Sequence, residues 1–340
     1  MSDRERQLER NLQSRRGLAT LYLLDTNVWR YVVDAGEEDR LVSLASSPSL
    51  SIQISPATVN ETLRLKDVAL MRRIVRLQTK PCFDRLMAET FLMGMELILE
   101  IERLHPEWLR RPPDHRQLKK WSVFWKDKWW RRVRSSPDNE AKHLRVWESD
   151  FLDVARENAK QKRNDIHKSG PSHNSLPLDA WYAQVPRPFP GWRVFKRVHA
   201  WRMATLISLT NGLNFLENGM RPILETHVDL SNGLLASEAW QKFWLYEAEE
   251  RNLVRFYLEW LHEFSAQFRK TTPGTPGDTQ LFTYLPDTDV LVSADKGIIQ
   301  IIEEVRPYSP VVLPRTLLIM GGREGVELLL SEFSSRSSNP

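Results

Sequence analysis

Two short apolar runs, at opposite ends of the chain, each stop at an aspartate. Near the beginning, Leu21-Tyr22-Leu23-Leu24 leads into Asp25-Thr26-Asn27. Near the end, Asp289-Val290-Leu291-Val292 leads into Ser293-Ala294-Asp295-Lys296. Both runs have strand length and a β-rich composition. In an open parallel α/β sheet, chemistry gathers beyond the carboxyl ends of the strands. Two aspartates placed there share a site when their strands are neighbours, whatever their separation in sequence.

The segments around these runs alternate as a parallel sheet requires. Residues 20–80 predict a strand at 21–24, a helix around 27–47 and a strand at 51–55. A further helix opens near Pro56, where proline suits the first turn and Ser55 can cap it. Residues 278–335 predict a helix from 278, a strand at 289–293, a helix at 297–305, a strand at 310–313 and a helix at 323–333. The tail 334–340 is expected to fray. Between about 85 and 270 the period becomes helical, over 83–104, 118–134, 140–164, 195–220 and 236–268. Proline-rich 174–191 reads as a loop or extended arm, and 271–277 as a turn-rich return. The expected fold class is α/β: a parallel sheet flanked by helices, interrupted by a mostly α-helical insertion. Residues 1–84 form its first half, 85–270 the insertion and 271–335 the second half. Of 13 tryptophans, only Trp29 lies outside residues 108–260.

Composition narrows the setting. The single cysteine, Cys82, excludes an internal disulfide and fits a reducing compartment. The first twenty residues are too polar for a secretory signal, and no apolar stretch reaches the roughly 18–20 residues of a spanning helix. A cytoplasmic protein without a membrane partner is expected. The formal charge of +4 permits an acidic partner without demanding one.

Further carboxylates are expected on the same sheet edge. Glu61 lies in the first turns of the helix after the second strand, and Asp278 follows Pro276-Gly277 at a helix start. Helix N-termini in such a sheet face the strand ends. Four converging carboxylates without cysteine or histidine suit a hard cation, Mg²⁺ or Mn²⁺. Such an ion activates water and clamps phosphoryl oxygens. Without it the carboxylates would repel one another.

Leu23-Leu24-Asp25-Thr26-Asn27-Val28-Trp29 and Ile54-Ser55-Pro56-Ala57-Thr58-Val59-Asn60-Glu61 resemble the opening of a PIN domain. Gly277-Asp278-Thr279-Gln280-Leu281, with the run from Asp289 to Lys296, resembles its closing half. The PIN family comprises metal-dependent nucleases, including many bacterial toxin ribonucleases. The resemblance implies a PIN-like sheet with Asp25, Glu61, Asp278 and Asp295 as the catalytic, metal-holding quartet. Asn27 and Ser293 match its supporting polar positions. It also implies hydrolysis of RNA leaving a 5′-phosphate. One departure is large: Glu61 and Asp278 stand 217 positions apart, where ordinary members have a few tens of residues. Asp287 and Asp289 therefore compete with Asp278 for the third acid.

The insertion carries a second signal. Lys119, Lys120, Lys126, Lys128, Arg131, Arg132 and Arg134 interleave with Trp121, Trp125, Trp129 and Trp130. Spacing places Trp121, Trp125 and Trp129 on one helix face. One reading is a nucleic-acid platform with cations on phosphates and indoles on bases. The other is an amphipathic helix with core tryptophans and a solvated basic face. His143, His167, His173 and His199 lack metal-ligand spacing and read as ordinary polar residues. The leading expectation is a metal-dependent endoribonuclease with RNA as partner. The alternative is a catalytically inactive scaffold whose insertion binds a protein or nucleic acid. A protein inhibitor and self-association stay open. A dehalogenase-like phosphatase fits poorly, because that chemistry wants an acid where Asn27 stands.

Overall fold

A strand with apolar residues on both faces belongs inside a sheet covered on both sides. The computed structural model, which describes residues 19–145, 157, 196–214, 219–230, 233–266 and 275–337, places the first strand so. β1 (Thr20–Leu24), β2 (Leu50–Ile54), β3 (Asp84–Arg85), β4 (Val290–Ser293) and β5 (Arg315–Leu318) form one sheet in the order β3-β2-β1-β4-β5. Every pairing is parallel. Tyr22 pairs with Ile52 on one side and Val290 on the other. The order reverses between β1 and β4, which opens a crevice at the carboxyl ends of those two strands.

Alternate residues supply two cores. Tyr22, Leu24, Ile52, Ile54, Val290 and Val292 pack with Trp29 and Val32 of helix Thr26–Ala35, Ile74 of Val68–Gln78 and Leu330 of Arg323–Ser337. Leu23 and Leu291 pack into the opposite core. Its other members include Leu97 of helix Glu89–Leu104, Leu258 of Val254–Ala266, Ile302 of Lys296–Val305, and Trp201, Trp240 and Trp244. The helical block thus shares a continuous core with the sheet. A half-buried ion triad ties the two together: Arg255 bridges Glu96, on Glu89–Leu104, and Asp287, just before β4.

Several expected elements change. The helix at 27–47 is two, Thr26–Ala35 and Glu38–Leu44, because Gly36 takes a left-handed φ of 73° and ends the first. The stretch 83–104 contains β3 before its helix starts at Glu89, so the sheet crosses the expected boundary at 84/85. The last strand is Arg315–Leu318 rather than 310–313. There Arg306 takes the carbonyls of Leu313 and Pro314 at 2.8 Å each, and Val312 is 94% exposed. The helix over 236–268 breaks at Ala248, whose extended backbone leaves its carbonyl to the Arg202 guanidinium. The helix over 118–134 runs as His115–Val123, a π-helical turn Phe124–Lys128, and Trp129–Ser135. The helix over 195–220 is Arg197–Asn214, and the last helix persists to Ser337 rather than fraying from 334. The expectations for 1–18, 174–191, His167, His173, 271–274 and most of 146–164 lie outside the described residues. Among the described residues no helix is long and apolar enough to cross a membrane.

Removing Arg255 would leave the half-buried Glu96 and Asp287 carboxylates without its charge. Arg255→Ala is expected to lower unfolding free energy by about 1–3 kcal/mol, the cost of a desolvated acceptor that loses its partner. In urea denaturation Arg40→Ala, at an exposed pair with Glu327, should hardly move the midpoint.

Candidate metal centre

The site begins where β1 ends. The Asp25 backbone N–H donates to the Val292 carbonyl at 2.9 Å, holding the end of β1 against β4. One Asp25 oxygen accepts from the Thr26 N–H at 2.6 Å and caps helix Thr26–Ala35. The other accepts from the Ser293 hydroxyl at 2.7 Å. That hydroxyl oxygen also accepts the Asp295 N–H at 2.9 Å, so one side chain connects the two strand-end aspartates. Asp295, exposed, caps helix Lys296–Val305 through the Gly297 N–H at 2.6 Å.

Glu61 arrives on helix Pro56–Leu63, which Ser55 caps through the Thr58 N–H at 3.2 Å. The Thr26 hydroxyl donates to Glu61 Oε2 at 2.6 Å. Asp278 lies on helix Thr275–Phe282, packed beside Pro56–Leu63. A Cβ on the preceding Gly277 would stand 3.4 Å from Glu61 Oε2, in ordinary contact, so the two helices bring these residues side by side. Asp25, Glu61 and Asp278 line one narrow recess.

Burial and mutual repulsion set the charges. Asp25 is 5% exposed, and its pKa is pushed up to about 6. Burial is the main cause. The Ser293 hydroxyl counters it, Glu61 adds to it, the Thr26 N–H counters, and Asp295 adds a little. Asp278 is pushed up to about 8, by burial first and then by Asp25, Glu61 and Asp295. At neutral pH, in the absence of a cation, Asp278 therefore holds its proton.

Four carboxylates with serine and threonine hydroxyls form an all-oxygen donor set, which fits a hard divalent cation. As the side chains stand, no three His, Cys, Asp or Glu among the described residues converge as a formed metal group. The oxygens of Asp25, Glu61 and Asp295 are engaged by the hydrogen-bond donors just named.

Ser293 lies between the two strand-end aspartates. Asn27 does not: it is exposed and makes no hydrogen bond to the acids. Its neighbour Thr26, which the sequence reading passed over, holds Glu61; a hydroxyl beside the first aspartate was its only signal. Asp287 belongs to the Arg255 triad, and Asp289 accepts the Leu21 N–H at 2.9 Å at the opposite sheet edge. Only Asp278 of the three competitors meets the other acids. A second acidic group, also missed, lies nearby. Glu89 accepts from Tyr284 at 3.0 Å and Gln280 at 3.1 Å, and Glu259 is pushed up to about 8 by burial, then Glu263, then Glu89.

The basic residues Lys119, Lys120, Lys126, Lys128, Arg131, Arg132 and Arg134 are all exposed. Arg131 pairs with Asp127 at 2.5 Å and Arg132 with Glu140 at 2.7 Å. Trp129 and Trp130 are buried, and Trp121 and Trp125 pack against the cores. The π-helical turn adds a residue between Trp121 and Trp129, and the two indoles join different cores. Trp129 and Trp130 are thus closed to base stacking, Trp121 and Trp125 are half-covered, and the basic charges stay outside.

A carboxylate whose folded pKa is raised favours folding while protonated. That contribution is complete below the unfolded value, about 4, and is lost as pH rises through the folded value. The metal-free protein should lose melting temperature from about pH 4 toward pH 8, through Asp25, Asp278 and Glu259. Asp278→Asn should flatten the Asp278 share of this slope in thermal melts, leaving that of Glu259. No family model matches the chain, and no curated protein or solved structure matches it.

Proposed function

We propose that the protein is a divalent-metal-dependent nuclease of PIN-domain type, a hydrolase that cleaves phosphodiester bonds in RNA. One observation carries this reading. Acids from both ends of the chain reach the carboxyl edge of the sheet at its topological switch point, and Asp278 feels the charge of the other three. The preference for RNA follows the sequence resemblance, and the basic helix beside the sheet supports a polyanionic substrate.

Asp25, Glu61, Asp278 and Asp295 would hold Mg²⁺ or Mn²⁺. When bound, such an ion supplies an activated water and neutralises charge on the phosphoryl oxygens. The rest is done by the chain. Ser293 and Thr26 hold Asp25 and Glu61 before substrate arrives, which removes part of the ordering entropy at the moment of reaction. Asp278 gives up its proton as a cation enters, so loading is favoured as pH rises toward 8. The apolar wall supplied by Ala57 and Leu281 limits water around the carboxylates.

A second reading has its own observation. Asp25 and Asp295 each cap a helix, and this structural role alone explains their hydrogen bonds. On that reading the sheet is a silent scaffold and the helical block binds a partner.

Metal response separates the two. Mn²⁺ should raise the melting temperature, more at pH 8 than at pH 5, and should permit cleavage of single-stranded RNA. Asp25→Asn should keep the fold and lose at least about a hundredfold in cleavage rate, as expected when a term of several kcal/mol is removed. Cleavage at the wild-type rate by this variant would refute the site. Absence of both thermal response and cleavage would leave the scaffold.

A further inference from the structure

Outside the acidic recess, the helices enclose a polar cleft of about 500 Å³. One wall is helix Val68–Gln78, carrying Arg72 and Arg76. The other is the turn from helix Trp129–Ser135 into helix 137–145, carrying Arg134, Ser136, Asp138 and Asn139. Its one acid is already engaged: Arg72 grips Asp138 with Nη2–Oδ2 at 2.5 Å and Nε–Oδ1 at 3.0 Å. Arg76 and Arg134 are exposed and have no carboxylate partner among the described residues. Two guanidiniums therefore share a concave site with nothing to neutralise them.

Arg85 extends the same field. It closes β3, at the sheet edge that carries Asp25, and lies over the Trp130 ring at 5.6 Å. Burial lowers its pKa, Asp127 raises it, and Arg134 lowers it again, so Arg85 and Arg134 are close enough to repel. The wider surface has the same sign. Residues 115–145 hold ten Lys and Arg against three Asp and Glu, and two of those acids are paired with Arg131 and Arg132.

Guanidinium forks match phosphate oxygens in geometry as well as charge. Ser136 and Asn139 add neutral donors. From this arrangement we infer that the cleft between Arg76 and Arg134 holds backbone phosphates of single-stranded RNA. The inference rests on the nuclease reading for the identity of the polyanion, and it adds a binding subsite away from the acids. No aromatic side chain is among the residues that line the cleft, so affinity there is set by charge and falls steeply with salt.

The test is a fluorescence-anisotropy titration of the full chain with labelled single-stranded RNA, in EDTA so that nothing is cleaved. Arg76→Ala/Arg134→Ala should weaken binding about tenfold near physiological salt. It should also reduce the slope of log K against log salt by about 0.7 for each lost phosphate contact. Both side chains are exposed, so the melting temperature should hold. Arg40→Ala, outside the cleft lining and paired with Glu327, is the control and should bind as wild type. An unchanged affinity and slope in the double variant overturns the inference. So does an equal loss in Arg40→Ala, or Arg76/Arg134-dependent binding of polyglutamate without binding of RNA. Cleavage with Mn²⁺ is scored separately. Arginine-dependent binding without cleavage keeps the cleft and removes the nuclease; cleavage with arginine-independent binding does the reverse.

Discussion

The parallel pairing of β1 with β4 joins Tyr22 to Val290 and Leu24 to Val292, closing a loop of most of the chain. Loop-closure entropy grows only slowly with length, so a very long detour is little worse than a moderate one. What offsets it is burial on both faces of the paired strands: Tyr22, Leu23, Leu24, Leu291 and Val292 are all fully buried. The same pairing creates the reversal of strand order, and with it the crevice to which Asp25 and Asp295 are delivered. Without this contact the molecule would have neither a closed sheet nor a site.

At that crevice packing and electrostatics oppose each other. Burial raises Asp25 and Asp278, and the neighbouring acids add to the shift of both. At Asp25 the Ser293 hydroxyl and the Thr26 N–H recover part of this. A chain selected for stability alone would put apolar residues here. Keeping four acids on one edge is the kind of local sacrifice associated with function.

The helical block has a structural role whatever it binds. Its tryptophans Trp201, Trp240 and Trp244 belong to the core that covers Leu23 and Leu291, and Arg255 locks the block to the residues before β4. Polar residues are left on the outside, and between Lys119 and Arg134 that outside is strongly basic. A segment that covers its indoles wholly or in part and exposes its cations presents mainly charge.

The amino-acid sequence by itself determined what depends on near neighbours: strand runs ending in Asp25 and Asp295, the Ser55 cap, the proline start of its helix, and a helical middle. Those follow from side-chain period and capping chemistry, which act over a few residues. It also marked Asp25, Glu61, Asp278 and Asp295, because their type and position relative to strands and helix starts are local properties. Only the tertiary structure decided the rest. β3 has two residues and no β-rich run, so nothing but pairing with Gln53 and Ile54 makes Asp84–Arg85 a strand. Arg306 displaced the last strand by capturing carbonyls at a distance. The meeting of Asp278, rather than Asp287 or Asp289, with the other acids, the exposure of Asn27, the Thr26–Glu61 hydrogen bond and the arginine-lined cleft all depend on which helices lie side by side. That arrangement is set by packing between residues far apart in the chain, and no local pattern encodes it.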